Sequence, residues 1–189
     1  MGKGRPKRYT GPRPINLLNQ AGILRTRYPQ GKVVTTRDRL TRLGELIPTA
    51  YSDTYEVVVD HNTRQQPLVY VTKPQLHLVD GLRLPHVFPF NTLCLHTEHR
   101  EEIASQRLAD TVVPWASEWL FFYELWLASG GEWKGGGIHP TGGGGTVSDS
   151  ERADHRREKQ ERLKRLTTAL MRVHGADCDT KELLRNARL

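Results

Sequence analysis

Apolar residues follow two different periods in the first half of the chain. Between Ile15 and Tyr28 they recur at the three- and four-residue spacing of a helix, which Pro29 and Gly31 would end. From residue 33 to residue 78 they alternate with polar residues, and β-branched side chains dominate. Because the connections here are short and rich in turn residues, we predict an antiparallel meander of four strands at residues 33–36, 40–46, 54–59 and 68–72.

The second half begins with a long irregular stretch, residues 79–103, followed by the most apolar helix of the pattern, residues 105–129. A connection of this length inside a compact domain is uncommon and usually has a function. Pro114 is expected either to kink the helix or to lie in its first turn. Three apolar rows with a spacing of seven predict burial of the helix on most sides: they are Leu108, Trp115 and Phe122; Val112, Trp119 and Trp126; and Val113, Leu120 and Leu127.

Glycine dominates the next segment, because residues 130–147 contain nine of the 17 glycines. They match no phosphate-binding loop and no strand-linked G-x-G-x-x-G motif, so the prediction is a flexible linker. A highly charged helix is predicted at residues 150–174, with a cap at residues 148–151, an end at Gly175 and a short further helix at residues 180–188. We interpret it as a solvated helix or as a docking element for a partner. Its one apolar face is formed by Leu163, Leu166, Leu170 and Val173.

Together these elements predict an α+β fold. Its order is an N-terminal helix, a four-stranded antiparallel meander, an irregular loop segment, a buried crossover helix and a C-terminal charged helix. The domain organisation that we predict is a disordered basic arm, a folded domain, a glycine-rich linker and a basic helical extension, at residues 1–14, 15–140, 141–149 and 150–189.

The net charge of +7 is unevenly distributed over the 189 residues. Residues 1–42 carry 11 basic residues and one acidic residue, a net +10. Residues 43–150 carry 6 basic and 13 acidic residues, a net −7, and residues 151–189 carry 11 and 7, a net +4. The acidic middle argues against nucleic acid as a partner of the folded domain. A nucleic-acid-binding module at the basic ends remains an alternative, with phosphate contacts from Lys3, Arg5, Lys7, Arg8 and Arg13.

Cysteine count and hydropathy restrict the class of protein. Two cysteines, Cys94 and Cys178, are too few for a disulfide framework or a four-thiolate zinc site, and Cys178 is interpreted as an incidental thiol. No apolar run approaches the ~18 residues of a membrane span, and no leader pattern is present. We therefore expect a cytoplasmic protein with no membrane partner.

The segment with the most chemical information is LPHVFPFNTLCL, residues 84–95. It places Cys94 in the long loop just before the buried helix, with His86 eight residues earlier. A thiol on a loop that a rigid scaffold supports is a suitable nucleophile. The alternative is that Cys94 is a small buried apolar residue, which is the commoner role of an unperturbed cysteine.

Two other kinds of site are alternatives for the same thiol. Cys94, His96 and His99, with His86 upstream, would be metal ligands, but their C-x-H-x-x-H spacing matches no strong zinc signature. A papain-like hydrolase would need a distant histidine such as His61 or His139, and no local signature supports either. We interpret His61 and His77 as surface or turn residues.

Residues 84–95 resemble the active-site segment of ubiquitin-conjugating enzymes, whose pattern is His-Pro-Asn, seven residues, and the catalytic Cys followed by Leu. Pro85, Cys94 and Leu95 match in register, while Leu84 stands for the family's His and His86 for its Asn. The chain also resembles the divergent bacterial branch of the UBC fold, found in ubiquitin-like conjugation operons and in CBASS antiphage operons. The segments are LGELIPT (43–49), YEVVV (55–59), PHVF (85–88), LCL (93–95), ADTVVPWASEWL (109–120), YELW (123–126) and GGG-x-HP (135–140).

This resemblance covers residues 15–140 and implies the UBC fold, whose order of elements is the one predicted above. It also implies thioester exchange, in which Cys94 receives the C-terminus of a ubiquitin-like protein or of a cGAS/DncV-like nucleotidyltransferase and passes it to an amine. His86 would donate a hydrogen bond to the oxyanion or raise the thiolate fraction of Cys94. Asn91, where the family commonly has Gly, suits a left-handed turn.

The remaining expectations concern accessory residues and partners. His96, Glu98, Glu101 and Glu102 are accessory candidates because they lie near Cys94 in the sequence. The acyl donor, and a separate activating enzyme, are the expected partners, and no cofactor or metal is expected. A UBC-like scaffold without activity is a further alternative, because the family's Asn is replaced.

Overall fold

The computed structural model describes residues 13–95, 103, 105–135 and 149–175. Residues 1–12 of the predicted arm (1–14) lie outside this part of the chain, as do the glycine-rich residues 136–148 with the predicted cap residue Ser148, and the predicted short helix at residues 180–188. The α+β architecture is confirmed. Its elements are α1 (Leu17–Arg27), β1 (Lys32–Thr35), β2 (Arg39–Leu46), β3 (Tyr55–Asn62), β4 (Gln65–Lys73), β5 (Val87–Phe88), β6 (Thr92–Leu93), α2 (Val112–Ala128) and α3 (Asp149–His174).

One antiparallel sheet joins the six described strands in the order β1-β2-β3-β4-β6-β5. The first four are the predicted meander. The β3–β4 turn is Thr63–Arg64, and Asn62 accepts a hydrogen bond of 2.9 Å from the Arg64 N–H, which is the reason that an Asn suits this position. The two short strands were not predicted. They lie in the irregular stretch and extend the sheet beyond β4.

The main core lies between one face of the sheet and helices α1 and α2. Helix α1 starts at the cap residue Asn16, whose Oδ1 accepts a hydrogen bond from the Leu18 N–H at 2.8 Å. The buried Gln20 side chain then donates to the Gln106 carbonyl at 2.7 Å and accepts from the Leu108 N–H at 3.0 Å. One buried amide therefore ties α1 to the segment that precedes α2.

Helix α2 begins at Val112, so the predicted start near residue 105 is wrong. Residues 105–111 form turns instead, and Pro114 lies in the first turn of the helix, where its missing N–H has no intrahelical acceptor. Burial is confirmed for the row of Val112, Trp119 and Trp126. The row of Trp115 and Phe122 is only half-buried, so the helix has a broad buried face rather than burial on most sides.

Helix α3 covers the opposite face of the sheet, so the interpretation as a solvated helix is wrong for its C-terminal half. A second buried cluster contains Leu166, Ala169 and Leu170 from α3 and Val58, Tyr70 and Phe90 from the sheet and the following loop. Neighbouring β3 residues alternate between the cores, because Val57 and Val59 belong to the main core. The helix ends at Gly175, at a φ of 91°.

A buried ion cluster connects α3 to the sheet. Asp60 in β3 is fully buried and lies 3.1 Å from Arg165, 3.3 Å from Arg39 and 3.7 Å from Arg172. Burial raises the pKa of Asp60, and the three guanidinium groups oppose that rise. The cluster thus supplies the charges that a carboxylate needs in an apolar interior.

Candidate active site

Cys94 is a half-buried free thiol directly after β6. Its main-chain N–H donates a hydrogen bond of 2.9 Å to the carbonyl oxygen of His86. Between these two residues the chain forms a small hairpin, in which Val87 pairs with Leu93 and Phe88 pairs with Thr92. The structure therefore brings the two predicted central residues to the same end of one hairpin.

The hairpin turns on two consecutive left-handed residues, Phe90 at a φ of 62° and Asn91 at 51°. The prediction that Asn91 adopts a left-handed turn is confirmed. Thr92 Oγ1 donates to the Pro89 carbonyl at 3.0 Å and closes the turn. Phe90 is a bulky residue for this conformation, which costs roughly 1–2 kcal/mol. Its side chain is buried in the second core, and this burial offsets the backbone strain.

The Asn91 side chain is 1% exposed, although it lies in a turn. Neither its Nδ2 nor its Oδ1 has a hydrogen-bond partner among the described residues. A buried amide of this kind is costly, whereas glycine would adopt the same φ without that cost.

The imidazole of His86 lies against Trp133, with ring centroids 5.4 Å apart. Trp133 in turn contacts Trp119 and Phe122 of α2, at centroid distances of 5.8 and 6.1 Å. His86 also has a φ of 51°, so its own backbone lies in the left-handed region. The aromatic group under His86 therefore connects the hairpin to the main helix.

Trp133 was missed by the sequence analysis, which assigned residues 130–147 to a linker. For residues 130–135 that assignment is wrong, because Trp133 packs against the main core. A Cβ on Gly135 would lie 2.8 Å from Trp133 Nε1 and 2.9 Å from Phe122 Cγ. A single tryptophan among glycines was the sequence signal that residue 133 packs against the core.

Burial raises the pKa of the Cys94 thiol, and the positive charge of Arg162 opposes the rise. Arg162 belongs to α3, and its guanidinium carbon lies 4.1 Å from the centroid of the Phe88 ring. Sequence analysis did not identify Arg162, because 67 intervening residues separate it from Cys94. Phe88, which supports it, lies in the hairpin.

The other predicted site residues have different outcomes. His96, Glu98, His99, Glu101, Glu102, His139 and Cys178 lie outside the described residues.

His61 is a core residue of β3, 1% exposed, so its assignment to the surface is wrong. Burial lowers its pKa to about 4. His77 is exposed in the loop after β4, as predicted. Among the described residues no group of three or more His, Cys, Asp or Glu side chains is arranged to hold a metal ion.

An open groove of about 750 Å³ lies elsewhere, between the end of β2 and the start of α2. Tyr28, Ile47 and Phe121 are among its lining residues, and none comes from residues 84–95. The candidate thiol is thus on a surface hairpin and not inside this groove. Within the part of the chain that the structure describes, no helix is long and apolar enough to cross a membrane.

Comparison with known proteins places this arrangement in a family. The family model described as Type II CBASS E2 protein matches residues 20–140, a range that begins in α1, includes Cys94 and ends before α3. A comparison with curated proteins finds no match. Because the model matches well over half of the chain, this protein belongs to the Type II CBASS E2 family, and its role is E2-like conjugation in bacterial antiphage defence.

Proposed function

We propose that Cys94 is the acyl carrier of a cysteine-dependent acyltransferase. It would accept the C-terminus of a partner protein as a thioester and pass it to an amine. The observation that best supports this proposal is the position of the thiol, half-buried at the end of a hairpin and held through its N–H by the His86 carbonyl. E2-like conjugation, the role of the family, is consistent with this reaction class.

In the first step the Cys94 thiol loses its proton, and its sulfur attacks the carbonyl carbon of the donor thioester. A C–S bond forms, and the carbonyl electron pair moves to oxygen in a tetrahedral intermediate. Collapse of this intermediate breaks the C–S bond to the activating enzyme, whose thiolate leaves and takes up a proton. Placed hydrogen-bond donors stabilise such oxyanions by roughly 3–4 kcal/mol in other acyl transfers.

In the second step an amine nitrogen, such as that of a lysine, attacks the thioester on Cys94. The C–N bond forms, the amine loses a proton, and the C–S bond to Cys94 breaks to regenerate the thiol. The amine must be neutral to attack, and the reference pKa of a lysine is near ~10.4. Glu98, Glu101 and Glu102 are our proposed acceptors of its proton, because they follow Cys94 closely in the chain.

We assign His86 the role of hydrogen-bond donor to the oxyanion. It stands where the resembling enzymes have Asn, and contact with Trp133 restricts the orientation of its ring. The variants His86→Asn and His86→Ala test this role. Activity that is retained only in the Asn variant supports a donor, whereas loss of activity in both variants, with a lower thiolate fraction of Cys94, supports a base.

The proposed donor is a protein of the same defence operon, either a nucleotidyltransferase or a ubiquitin-like protein with a free C-terminal carboxyl group. A separate activating enzyme would form the first thioester. Both expectations come from the family and from the resemblance, and one experiment distinguishes the two donors.

The test is to purify the protein with its operon partners and to search for a covalent adduct that reductant removes. Mass spectrometry of the adduct identifies the donor, and Cys94→Lys would trap it as a stable amide. Cys178→Ser is the matched control, since it removes the other thiol. An adduct that persists in Cys94→Ala would refute the proposal. Absence of any adduct with every partner combination would support a scaffold without activity.

A further inference from the structure

Helix α3 brings a positive charge to the hairpin that carries Cys94. This helix lies outside residues 20–140, the part of the chain that matches the family. Arg162 nevertheless reaches the hairpin, because its guanidinium carbon lies 4.1 Å from the centroid of the Phe88 ring, and its positive charge opposes the rise that burial causes in the pKa of the Cys94 thiol. Two sets of contacts hold Arg162 in this position.

The position of Arg162 along the helix is fixed by the turn that follows it. Leu166, four residues later and on the same side of the helix, is fully buried in the second core. Arg165 is bound to Asp60 of β3 through Oδ2, at 3.1 and 3.2 Å. Apolar packing and a buried ion pair thus fix the helix against the sheet within one turn of Arg162.

A second contact fixes the guanidinium itself. Its central carbon lies 4.1 Å from the ring centroid of Phe88, within the range of a cation–π interaction. Phe88 pairs with Thr92 across the hairpin, and Cys94 follows Thr92 by two residues in the chain. The aromatic ring therefore serves as a platform that keeps the cation next to the hairpin.

We propose that Arg162 completes the Cys94 site by stabilising negative charge on the cysteine sulfur. This inference rests on the proposed function, since it assigns a partner to the same thiol. When the thiol releases its proton to solvent, the sulfur gains a negative charge while the guanidinium keeps its positive one. The attraction favours the thiolate, which is the attacking species in thioester exchange. Arg162 is in this sense a positioning residue that acts through Cys94.

The chemistry explains why such a residue is useful here. Burial disfavours the thiolate of Cys94, so a nearby positive charge favours it. Arg162 supplies this charge from another element, α3, and its contact with Phe88 holds it beside the hairpin. An arginine suits the task because its planar group stacks on an aromatic ring and retains its charge.

The experiment measures how fast iodoacetamide alkylates Cys94 as a function of pH, in a Cys178→Ser background with mass spectrometric detection. For Arg162→Gln we expect the midpoint of the profile to move up by about one pH unit and the rate at pH 7 to fall about tenfold. Arg157→Gln is the matched control, because Arg157 is an exposed arginine of the same helix. Its profile should equal that of the unaltered protein.

Two further variants separate charge from structure. Arg162→Lys retains the charge and should restore most of the rate, while Phe88→Leu retains Arg162 without its platform and should give an intermediate shift. An unchanged profile in Arg162→Gln, with an unchanged thermal midpoint, would overturn the proposal. An equal loss in Arg162→Gln and Arg162→Lys would also overturn it, because charge would then not be the cause.

The outcome is separable from that of the proposed function. Alkylation requires no partner protein, so a shifted profile without any acyl adduct contradicts thioester transfer alone. A normal adduct with an unshifted profile contradicts the role of Arg162 alone.

Discussion

Arg165 of α3 and Asp60 of β3 form a buried ion pair, 3.1 Å between Nη2 and Oδ2. The pair joins the C-terminal helix to the central strand of the family-matched domain. It means that α3 contributes to the stability of the fold as well as to the surroundings of Cys94.

The first prediction concerns this ion pair. Arg165→Met should lower the free energy of unfolding by about 2 kcal/mol, because Asp60 loses its nearest partner but keeps Arg39 and Arg172. Urea denaturation measures the change. Arg157→Met on the exposed face of α3 should have almost no effect. Equal urea midpoints for the two variants would contradict a stabilising role of the pair.

The second prediction concerns pH. The pKa of His61 falls from its ordinary value of 6.5 to about 4 because the ring is buried, so the folded protein holds it neutral while the unfolded chain can protonate it. The contribution of neutral His61 to the free energy of unfolding is complete above pH 6.5, and it is lost as the pH falls toward 4. The expected loss is about 3 kcal/mol.

Urea titrations at several pH values test this dependence. Burial raises the pKa of Asp60, which acts in the opposite direction in acid, so the comparison with His61→Phe isolates the histidine. That variant should have a flatter pH profile than the unaltered protein. His77→Gln, at an exposed loop position, is the control substitution. A His61→Phe profile as steep as the original would refute the assignment.

The third prediction concerns the turn at Asn91. Asn91→Gly should keep or raise stability, because glycine adopts a φ of 51° freely and leaves no buried amide without a partner. Asn91→Ala should be less stable than Asn91→Gly by about 1 kcal/mol, since alanine places a Cβ in the left-handed region and glycine does not. Thermal unfolding gives the order of the two variants. If Asn91 has only a turn role, adduct formation survives in the glycine variant; a folded but inactive glycine variant would show that the amide takes part in the chemistry.

The fourth prediction concerns the aromatic support under His86. Gly135→Ala should destabilise the protein by about 1–3 kcal/mol and slow adduct formation, because its Cβ would press on Trp133 at 2.8 Å. Gly22→Ala is a matched control: nothing lies within 4 Å of its Cβ, and alanine favours the helix. It should raise the melting temperature slightly. A Gly135→Ala variant with the original melting temperature would mean that the tryptophan can move without cost.

Sequence periodicity predicts the elements whose apolar residues recur with the period of a strand or of a helix. The meander from β1 to β4 and helix α1 have such patterns, and their predicted bounds differ from the observed ones by a few residues. The run of Val57, Val58 and Val59 also indicates a strand with two covered faces. This run is the sequence signal that a further element covers the second face, and the interpretation of α3 as a solvated helix overlooks it.

The candidate site was only partly predictable, for a physical reason. Cys94, His86 and Asn91 lie in one short segment, and a resemblance in that segment is sufficient to select them. Arg162 and Trp133 reach the hairpin from elements after α2, and their contacts depend on how those elements pack. Phe90 in a left-handed conformation also depends on packing, because local preference alone would not select it.

The two faces of the sheet are covered by elements from different parts of the chain. Helix α3 is therefore comparable to a ligand that is covalently attached to the domain that it binds. Residues 136–148 connect it covalently to the rest of the chain, so the docking of α3 is an intramolecular event governed by an effective concentration. Cleavage of that connection would turn the docking of α3 into an ordinary bimolecular equilibrium. The environment of Cys94 would then depend on the concentration of a separate peptide.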